Sequence, residues 1–576
     1  PRLKDIKGSW PHVQPSNWSV TSWTHPWYTQ EQWAKELGRD FYYTVQLRRY
    51  GGDLQGVINK LDYIKELEAT AIYLNPINDA PSLHKYDARN YRHIDRNFGP
   101  DPEGDIEIME TETPDDPDTW KWTSADSLFL KLVEEIHKRD MKVILDYSWN
   151  HTGITFWAWQ DVLEHQQESP YADWYMIEEF DDPVTKKDEF SYKGWAGVKT
   201  LPELKKVDVE NRVHGKPYRG DLHPEVKQHI FNVTRRWLDP NVDRDPSAGI
   251  DVFRLDVAEQ IPMGFWRDYR KFVRSINPKA YLVGEIWWES WPEKMMDPKP
   301  YLQGDVFDAV MHYRWYMPTR SYIAGAKPEM NAVEYTSHID SVYSGIDRQR
   351  MLSMMNVTAT HDSPRLSTSL YNKGRYKYNV KPTDSPDYKI DKPGKETLKL
   401  QKMLLINQYT FPGAPHIWNG DEVGMWGSDD PDNRKPMVWR DKLYQQEQNH
   451  PLGKDRKPDV VAANYGIYSF HKQLARLRKN NSALIDGKLN FVHADPVSNT
   501  LAYERFNDKN HFLILFNTSE HQQMITIDLL ESDRSFRNKK YTWKTIINGN
   551  KKHQSSRHKL IKYDMPPHTA EIWKLK

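Results

Sequence analysis

Apolar runs rich in β-branched and aromatic residues alternate along the chain with segments of helical periodicity. The segment "SADSLFLKLVEEIHKRD" (124–140) has one apolar face after a predicted N-cap at Ser124, and the apolar run "MKVILDYSWNH" (141–151) follows it. The further apolar runs are "ATAIYLNP" (69–76), "GIDVFRLD" (249–256), "AYLVGE" (280–285), "GDVFDAVMHY" (304–313), "MNVTATHD" (355–362) and "APHIWNGDE" (414–422). Repeated strand–helix units predict parallel strands and, at about eight repeats, a (β/α)₈ TIM barrel. An open doubly wound sheet is the alternative, but no Gly-rich dinucleotide fingerprint follows the first strands.

Two regions interrupt this alternation. Residues 152–220 are polar and aromatic without strand–helix units, which predicts an inserted domain B after the third strand. Residues 484–576 contain short strand-like runs such as "TLAYERF" and "HFLILFN", separated by Asn, Asp and Gly, which predicts a C-terminal β-sandwich. The predicted catalytic barrel therefore comprises residues 1–151 and 221–483.

Composition narrows the classes of partner. The 576 residues carry 80 Lys+Arg and 81 Asp+Glu, and this balance argues against nucleic acid or an anionic membrane surface as the main partner. No segment approaches the ~18 consecutive apolar residues of a membrane span. The absence of Cys excludes disulfides, thiolate metal sites and a Cys nucleophile. We expect a periplasmic or secreted protein whose leader has been removed, with the cytoplasm as the alternative, and either a monomer or a homo-oligomer.

Charged residues stand at the ends of several predicted strands. Arg254 and Asp256 are two residues apart, so on a strand they share one face. Since the active sites of such barrels lie at the carboxyl ends of the strands, these groups are expected to converge on one mouth. Paired carboxylates there suit acid/base and nucleophilic work on a glycosidic bond. The other strand-end groups are Asp146 with Asn150 and His151, Glu285, and His361 with Asp362.

The segment "DPNVDRDPSAG" (239–249) has a metal-loop pattern. Its oxygen-bearing residues at positions 1, 3, 5 and 7 match the spacing of a calcium loop, although Arg244 replaces the usual Gly and no Glu stands at position twelve. A solvated acidic loop is the alternative. The predicted ligands of a structural calcium ion are Asp239, Asn241, Asp243 and Asp245.

The motifs "DYSWNH", "DVFRLDVAE", "GEIW" and "TATHD" together resemble the four ordered regions of the α-amylase family, glycoside hydrolase family 13. "LHKYDARNY" (83–91), "SPYADWY" (169–175) and "DDPDNRKPMVW" (429–439) are similar to its neopullulanase and cyclomaltodextrinase members. The resemblance implies a retaining hydrolase of α-1,4 and also α-1,6 bonds in maltooligosaccharides, cyclodextrins or pullulan, with no organic cofactor.

The same resemblance implies roles for individual residues. Asp256 would be the nucleophile, Glu285 the general acid/base and Asp362 the carboxylate that stabilises the transition state. Asp146 would support these groups, and Asn150 would belong to a second calcium site. The implied substrate-binding residues are His84, Tyr86, His151, Arg254, His361, Asp430 and Arg434.

Three positions depart from the family pattern. Glu203 in "LPELK", and Glu259 with Gln260 after the nucleophile motif, match neither typical α-amylases nor typical neopullulanases. The family resemblance therefore leaves the leaving-group side of the site undetermined. Two other functions remain open: an α-glucosyltransferase or isomerase on the same site, and a catalytically inactive glucan-binding relative.

Overall fold

The computed structural model describes residues 15–185, 187–528, 542–548, 552–554 and 560–576. The described chain forms two units, one within residues 1–23 and 30–310 and the other within residues 24–29 and 311–576. The start of the predicted barrel range, residues 1–14, and parts of the predicted sandwich lie outside the described residues. No helix in the described ranges is long and apolar enough to cross a membrane.

The first unit contains nine α-helices and eleven strands among its described residues. Its helices are α1 (Gln32–Glu36), α2 (Phe41–Thr44), α3 (Leu54–Asn59), α4 (Leu61–Glu66), α5 (Pro102–Glu110), α6 (Ser124–His137), α7 (Trp157–His165), α8 (Pro224–Leu238) and α9 (Met263–Ile276). Its strands are β1 (Ala71–Leu74), β2 (Lys142–Tyr147), β3 (Ile177–Glu179), β4 (Ser191–Tyr192), β5 (Lys206–Glu210), β6 (Arg219–Leu222), β7 (Val252–Leu255), β8 (Tyr281–Gly284), β9 (Trp288–Ser290), β10 (Lys294–Met295) and β11 (Ala309–Val310).

A five-stranded parallel sheet forms the centre of this unit, in the order β1-β2-β7-β8-β11. Helices α6, α8 and α9 connect or flank these strands, which is the predicted strand–helix alternation. The register pairs Asp146 with Arg254 and Arg254 with Val283. The carboxyl ends of β2, β7 and β8 are therefore level with one another, and their terminal side chains are brought together.

Helix α6 shows how the sequence sets an element boundary. The predicted apolar face is confirmed, since Phe129, Leu132 and Ile136 are fully buried. The predicted N-cap at Ser124 is wrong by one residue: Thr123 is the N-cap and accepts a hydrogen bond from the backbone N–H of Asp126. Asp126 in turn accepts from the Thr123 backbone, so the two form a capping box, which Ser124 cannot form with its own third residue.

Residues 152–220 form α7 and two short antiparallel hairpins, β3–β4 and β5–β6. Aromatic rings provide much of the local packing: Trp159 lies with its ring centroid 4.6 Å from Tyr175 and 4.5 Å from Tyr192. A bridge between His151 and Glu203 joins the segment to the end of β2. The predicted domain bounds stay a prediction.

The second unit contains seven α-helices and ten strands among its described residues. Its helices are α10 (Tyr313–Ala324), α11 (Ala332–Tyr343), α12 (Arg348–Ser353), α13 (Leu366–Tyr371), α14 (Lys395–Thr410), α15 (Tyr465–Lys479) and α16 (Ser482–Ile485). Its strands are β12 (Met355–Asn356), β13 (Ala414–Pro415), β14 (Lys488–Asp495), β15 (Thr500–Phe506), β16 (His511–Asn517), β17 (Gln523–Asp528), β18 (Thr542–Ile547), β19 (Lys552–Gln554), β20 (Leu560–Met565) and β21 (Thr569–Leu575). Strands β12 and β13 pair in parallel.

The C-terminal strands form two sheets. Six antiparallel strands lie in the order β14-β15-β16-β21-β18-β19, and β17 pairs with β20. Leu513, Ile525, Trp543 and Trp573 share one apolar core across the two sheets. Alternate residues such as Ile514 face a second core with helices of this unit, as the period of two along a strand requires. The predicted sandwich is confirmed as the architecture of this region.

Candidate active site

Arg254 is the centre of a group of charged side chains in the first unit. It lies on β7, which ends at Leu255, and its side chain is fully buried. Asp256 is the next residue beyond the strand, and its backbone N–H donates to the carbonyl of Tyr147 at 3.0 Å. Arg254 Nη1 lies 2.7 Å from Asp256 Oδ1. The two side chains therefore share a face, as predicted, and they form a direct ion pair.

Two further carboxylates contact the same guanidinium. Arg254 Nη1 lies 3.0 Å from both carboxylate oxygens of Asp146, its register partner on β2. Arg254 Nη2 lies 2.8 Å from Glu285 Oε1, directly after β8. Burial acts to lower the pKa of Arg254, but the carboxylates of Asp146 and Glu285 raise it well above its usual value. Arg254 is a permanent cation that holds three strand-end carboxylates.

Two phenols complete the surroundings of Asp146. The hydroxyls of Tyr73 and Tyr86 donate to Asp146 Oδ2 at 2.6 and 2.8 Å, and Tyr86 also accepts from Arg254 Nη1 at 3.1 Å. Burial raises the pKa of Tyr86 well above its usual value, so its hydroxyl keeps its proton. His84 stacks on Tyr86 with a centroid distance of 6.1 Å. Asp146 is only 1% exposed, and its contacts hold the side chains of Arg254 and Tyr86 in position.

His151 is buried beside the end of β2. Its ring stacks on Trp195 at 5.2 Å, and its Nε2 has no hydrogen-bond partner among the described residues. Burial first, and then the charges of Lys206 and His84, lower its pKa to about 3. The imidazole is therefore neutral at ordinary pH and offers one polar atom for a ligand.

The second unit contains its own cluster around Asp362. His361 Nε2 lies 2.8 Å from Asp362 Oδ2, and Arg434 Nη2 lies 3.6 Å from Asp362 Oδ1. Arg434 Nε also contacts Asp430 Oδ1 at 2.5 Å. Burial acts to raise the pKa of Asp362, but His361, Arg434 and Lys377 together lower it far below its usual value. Asp362 is consequently an anion at any working pH, and it lies with His361, Arg434 and Asp430 as the sequence motifs predict.

Comparison with known proteins identifies the family. A family model described as "Alpha amylase, catalytic domain" matches residues 15–113 and 123–487, which is most of the chain. The chain belongs to the α-amylase family.

Relatives of this α-amylase family chain include two curated enzymes and a solved structure. The chain is 32% identical to "Neopullulanase 2" of Thermoactinomyces vulgaris, over 91% of this chain and 70% of the relative. It is 33% identical to a "Cyclomaltodextrinase" of Geobacillus thermopakistaniensis, over 82% of this chain and 63% of that relative. The "Debranching enzyme from Nostoc punctiforme" matches with a TM-score of 0.63 and 26% identity, covering 91% of this chain and 89% of that one.

The fold class follows from this membership together with the strands described above. The α-amylase family and its solved members have a (β/α)₈ barrel with a C-terminal sheet domain. This confirms the predicted α/β class, and the parallel sheet of the first unit shows five of its strands.

The acidic loop between α8 and β7 has only part of the predicted metal geometry. Asp243 Oδ1 and Asp245 Oδ1 accept backbone N–H groups at 2.9 and 3.0 Å, as in ordinary capped turns. Asp239 is 7% exposed, and its Oδ1 has no hydrogen-bond partner in the described ranges. Within those ranges no group of three His, Asp or Glu side chains is arranged to hold a metal ion. Calcium therefore stays a prediction, with Asp239 as the oxygen best placed for it.

Two site features escape the sequence motifs. Lys206 Nζ donates to Asn150 Oδ1 at 2.8 Å and lies 3.4 Å from Glu203. The Asn150 oxygen that a second calcium ion would need is therefore bound to the ammonium group of Lys206. Glu259 Oε2 is buried without a hydrogen-bond partner among the described residues. Burial and the neighbouring charge of Glu285 raise the pKa of Glu259 to about 8. The sequence signal for these two features is the departure from the family pattern at Glu203, which lies beside Lys206, and at Glu259 itself.

Proposed function

We propose that the protein hydrolyses α-1,4-glucosidic bonds, and also α-1,6 bonds, in starch-derived maltooligosaccharides, cyclodextrins or pullulan, with retention of anomeric configuration. The observation that carries this proposal is the buried guanidinium of Arg254, which holds both Asp256 and Glu285. Relatives named neopullulanase and cyclomaltodextrinase support the substrate class.

Asp256 is the proposed nucleophile. Retaining glycosidases need one ionised carboxylate that attacks the anomeric carbon while the bond to the leaving oxygen breaks. The ion pair with Arg254 stabilises the charged form of Asp256, because a cation within about 4–6 Å favours a carboxylate over the acid. At 7% exposure the carboxylate is nearly removed from water yet still accessible to a ligand.

Glu285 is the proposed general acid/base. It contacts the other nitrogen of the same guanidinium, and its Oε2 accepts the backbone N–H of Val257 at 3.3 Å. In the first step its carboxyl gives a proton to the leaving oxygen, and in the second it takes a proton from the incoming water. Carboxyl groups held by the two nitrogens of one guanidinium suit a retaining mechanism, which needs groups about 5–5.5 Å apart.

Asp362 is the proposed third carboxylate. Its depressed pKa keeps it anionic, which suits stabilisation of a transition state with oxocarbenium character. In the same proposal Asp430 and Arg434 bind a neighbouring sugar, and His361 hydrogen-bonds a sugar hydroxyl. Their ion pairs hold these side chains in one orientation.

His151 and Tyr86 are proposed to bind the sugar whose bond is cleaved. The neutral imidazole of His151 has an unpartnered Nε2 that can form a hydrogen bond with a hydroxyl. The ring of Tyr86 is held by Asp146 and Arg254 and stacks on His84, so it offers a fixed face to the apolar side of a sugar ring.

A structural calcium ion in the 239–245 loop is the second part of the proposal. Hard oxygen ligands at alternating positions and the unpartnered Oδ1 of Asp239 support it. When bound, the ion would stabilise the loop that leads into β7. No catalytic step depends on it.

Product analysis on maltoheptaose, β-cyclodextrin and pullulan tests the activity. The proposal predicts opening of the cyclodextrin ring and release of short reducing oligosaccharides from all three substrates. Products longer than the substrate as the main outcome would instead indicate a transferase. Binding of all three without any new reducing ends would indicate an inactive glucan-binding relative.

A further inference from the structure

A short segment near the start of the chain contacts the turn that the proposed sugar-binding residues Asp430 and Arg434 share. Residues 24–29 belong to the second unit, although the residues on either side of them belong to the first. Trp27 and Tyr28 within this segment are buried, each with 5% of its surface exposed. The chemistry described so far gives neither of these two side chains a role.

Both aromatic side chains donate a hydrogen bond to one buried carboxylate, that of Asp432. The indole Nε1 of Trp27 donates to Oδ1 at 2.7 Å, and the hydroxyl of Tyr28 donates to Oδ2 at 2.9 Å. The hydroxyl of Ser428 donates to the same Oδ2. Asp432 is fully buried, and a buried carboxylate is costly unless it is hydrogen-bonded. Trp27 and Tyr28 therefore stabilise Asp432 in its position, although they lie 405 and 404 residues away from it in the chain.

The ring of Tyr28 is itself held by two cations. Lys435 Nζ lies 5.4 Å from the ring centroid, and the guanidinium carbon of Arg456 lies 5.5 Å from it. Cations over an aromatic ring are attracted by its quadrupole. Both cations also pair with Glu447, at 2.8 and 3.2 Å, which keeps them in place. The hydroxyl of Tyr28 is therefore presented to Asp432 in one orientation.

Asp432 begins a short helical turn that ends at Arg434. The middle residue of this turn, Asn433, donates from its Nδ2 to the backbone carbonyls of Thr360 and Ser363 at 3.0 and 2.9 Å. These two carbonyls lie on either side of the third proposed carboxylate in the chain. The turn is thus anchored at its first residue by the 24–29 segment and at its second by the loop of that carboxylate.

Arg434 is the third residue of the same turn. Its Nε lies 2.5 Å from Asp430 Oδ1, and its Nη2 lies 3.6 Å from Asp362 Oδ1. Consecutive residues of one helical turn do not move independently, so a shift of Asp432 would carry the base of the Arg434 side chain with it. The contacts of Asp432 therefore decide where the guanidinium of Arg434 lies.

We propose that Trp27 and Tyr28 are positioning residues, which hold Asp432 and through it set the orientation in which Arg434 meets the substrate. This inference rests on the proposed function, in which Asp430 and Arg434 bind a sugar next to the one whose bond is cleaved. An interaction that is equally strong in the bound substrate and in the transition state affects KM and leaves kcat unchanged. Loss of either donor should therefore weaken substrate binding without slowing the chemical step.

The test removes one donor at a time and keeps an aromatic ring. In Tyr28→Phe and in Trp27→Phe, the KM for maltotetraose should rise about fivefold while kcat stays within about twofold of the wild-type value. Tyr563→Phe and Trp573→Phe are matched controls, since these side chains donate to the carboxylate of Glu571 at 2.8 and 2.7 Å in the C-terminal sheets. Both controls are expected to keep the wild-type KM.

A double-mutant cycle with Arg434→Ala separates positioning from a general structural effect. Tyr28→Phe should lower kcat/KM about fivefold in the wild-type background and leave it unchanged in the Arg434→Ala background, because coupled residues do not have additive effects. An equal fold loss in the two backgrounds would overturn the inference, since Tyr28 would then act without Arg434.

Two other results for Tyr28→Phe would also overturn the inference alone: wild-type values of kcat and KM, or a fall in kcat at unchanged KM. This variant lacks only one oxygen atom, so it decides the test if Trp27→Phe does not fold. A wild-type protein that does not cleave maltotetraose would overturn the proposed function and this inference with it.

Discussion

Arg254 Nη1 and Asp256 Oδ1 are 2.7 Å apart although the two residues lie only two positions apart in the chain and both are buried. β7 ends at Leu255, so Asp256 directly follows the strand on the face that it shares with Arg254, and Val257 then turns the chain with a positive φ of 39°. Glu285 and Asp146 reach the same guanidinium from the neighbouring strands. One guanidinium thus contacts three carboxylates in the interior.

Removing that cation should cost stability. Arg254→Met keeps the length of the side chain but leaves Asp146, Asp256 and Glu285 buried without a counter-charge. Breaking such a buried set costs about 3–5 kcal/mol, so the urea midpoint at pH 7 should fall clearly. Tryptophan fluorescence during urea denaturation measures this midpoint. Arg212→Met removes an exposed arginine and serves as the control, and equal midpoints for the two variants would contradict the structural role of Arg254.

The proposed catalytic carboxylates should affect rate far more than stability. Asp256→Asn and Glu285→Gln preserve size and hydrogen-bonding capacity, and each should lose orders of magnitude in kcat while the melting temperature stays within a few degrees. Steady-state hydrolysis of maltotetraose and calorimetry provide the two measurements. A variant with more than a tenth of wild-type activity, a barrier change of only ~1.4 kcal/mol, would exclude that residue from its assigned role.

Buried neutral histidine should make the protein sensitive to acid. His229 lies in a cluster with Trp120, Phe156, Trp157 and Trp174, and burial lowers its pKa to about 3. The unfolded chain takes up a proton near pH 6.5, so the stability that His229 provides at neutral pH is lost as the pH falls from 6.5 towards 3. The slope is up to about 1.4 kcal/mol per pH unit.

Replacing His229 by Phe should remove this part of the acid sensitivity. Urea denaturation at pH 7 and at pH 4.5 gives the difference in the free energy of unfolding for each protein. The variant is expected to lose about 2 kcal/mol less than the wild type over this interval. Parallel losses in the two proteins would show that His229 is not the group that titrates on unfolding.

Chelation tests the calcium loop. If an ion binds only the folded protein, a chelator lowers the melting temperature and added calcium restores it by mass action. Asp243→Ala should abolish this response, whereas Asp508→Ala, in an exposed turn elsewhere, should keep it. A melting curve that is insensitive to prolonged chelation would contradict the proposed calcium site in the 239–245 loop.

The strand ends were predictable because their signal is local. A period of two along "DVFRLD" places Arg254 and Asp256 on one face, and parallel strands align Asp146 and Glu285 with them. The N-cap of α6 is Thr123 rather than the predicted Ser124. Both residue types are good N-caps, but only Thr123 has Asp126 three positions later.

The environment of Glu259 and Lys206 could not be predicted in the same way. The burial of Glu259 depends on residues 212–218 and on the hairpin at Trp288, which are far from it in sequence. Lys206 reaches Asn150 only because residues 152–205 fold back on themselves and return to the end of β2. Long-range packing of this kind leaves no periodic pattern in the chain.

The anomeric configuration of the first product tests the central claim most directly. If Asp256 forms a covalent glycosyl-enzyme that water then opens, two inversions give net retention. Proton NMR during the first minutes of maltotetraose hydrolysis, before mutarotation, should show new reducing ends as α-anomers. Initial release of β-anomers would mean that the carboxylate held by Arg254 activates a water molecule instead of attacking the sugar, and the assignment of Asp256 as nucleophile would be wrong.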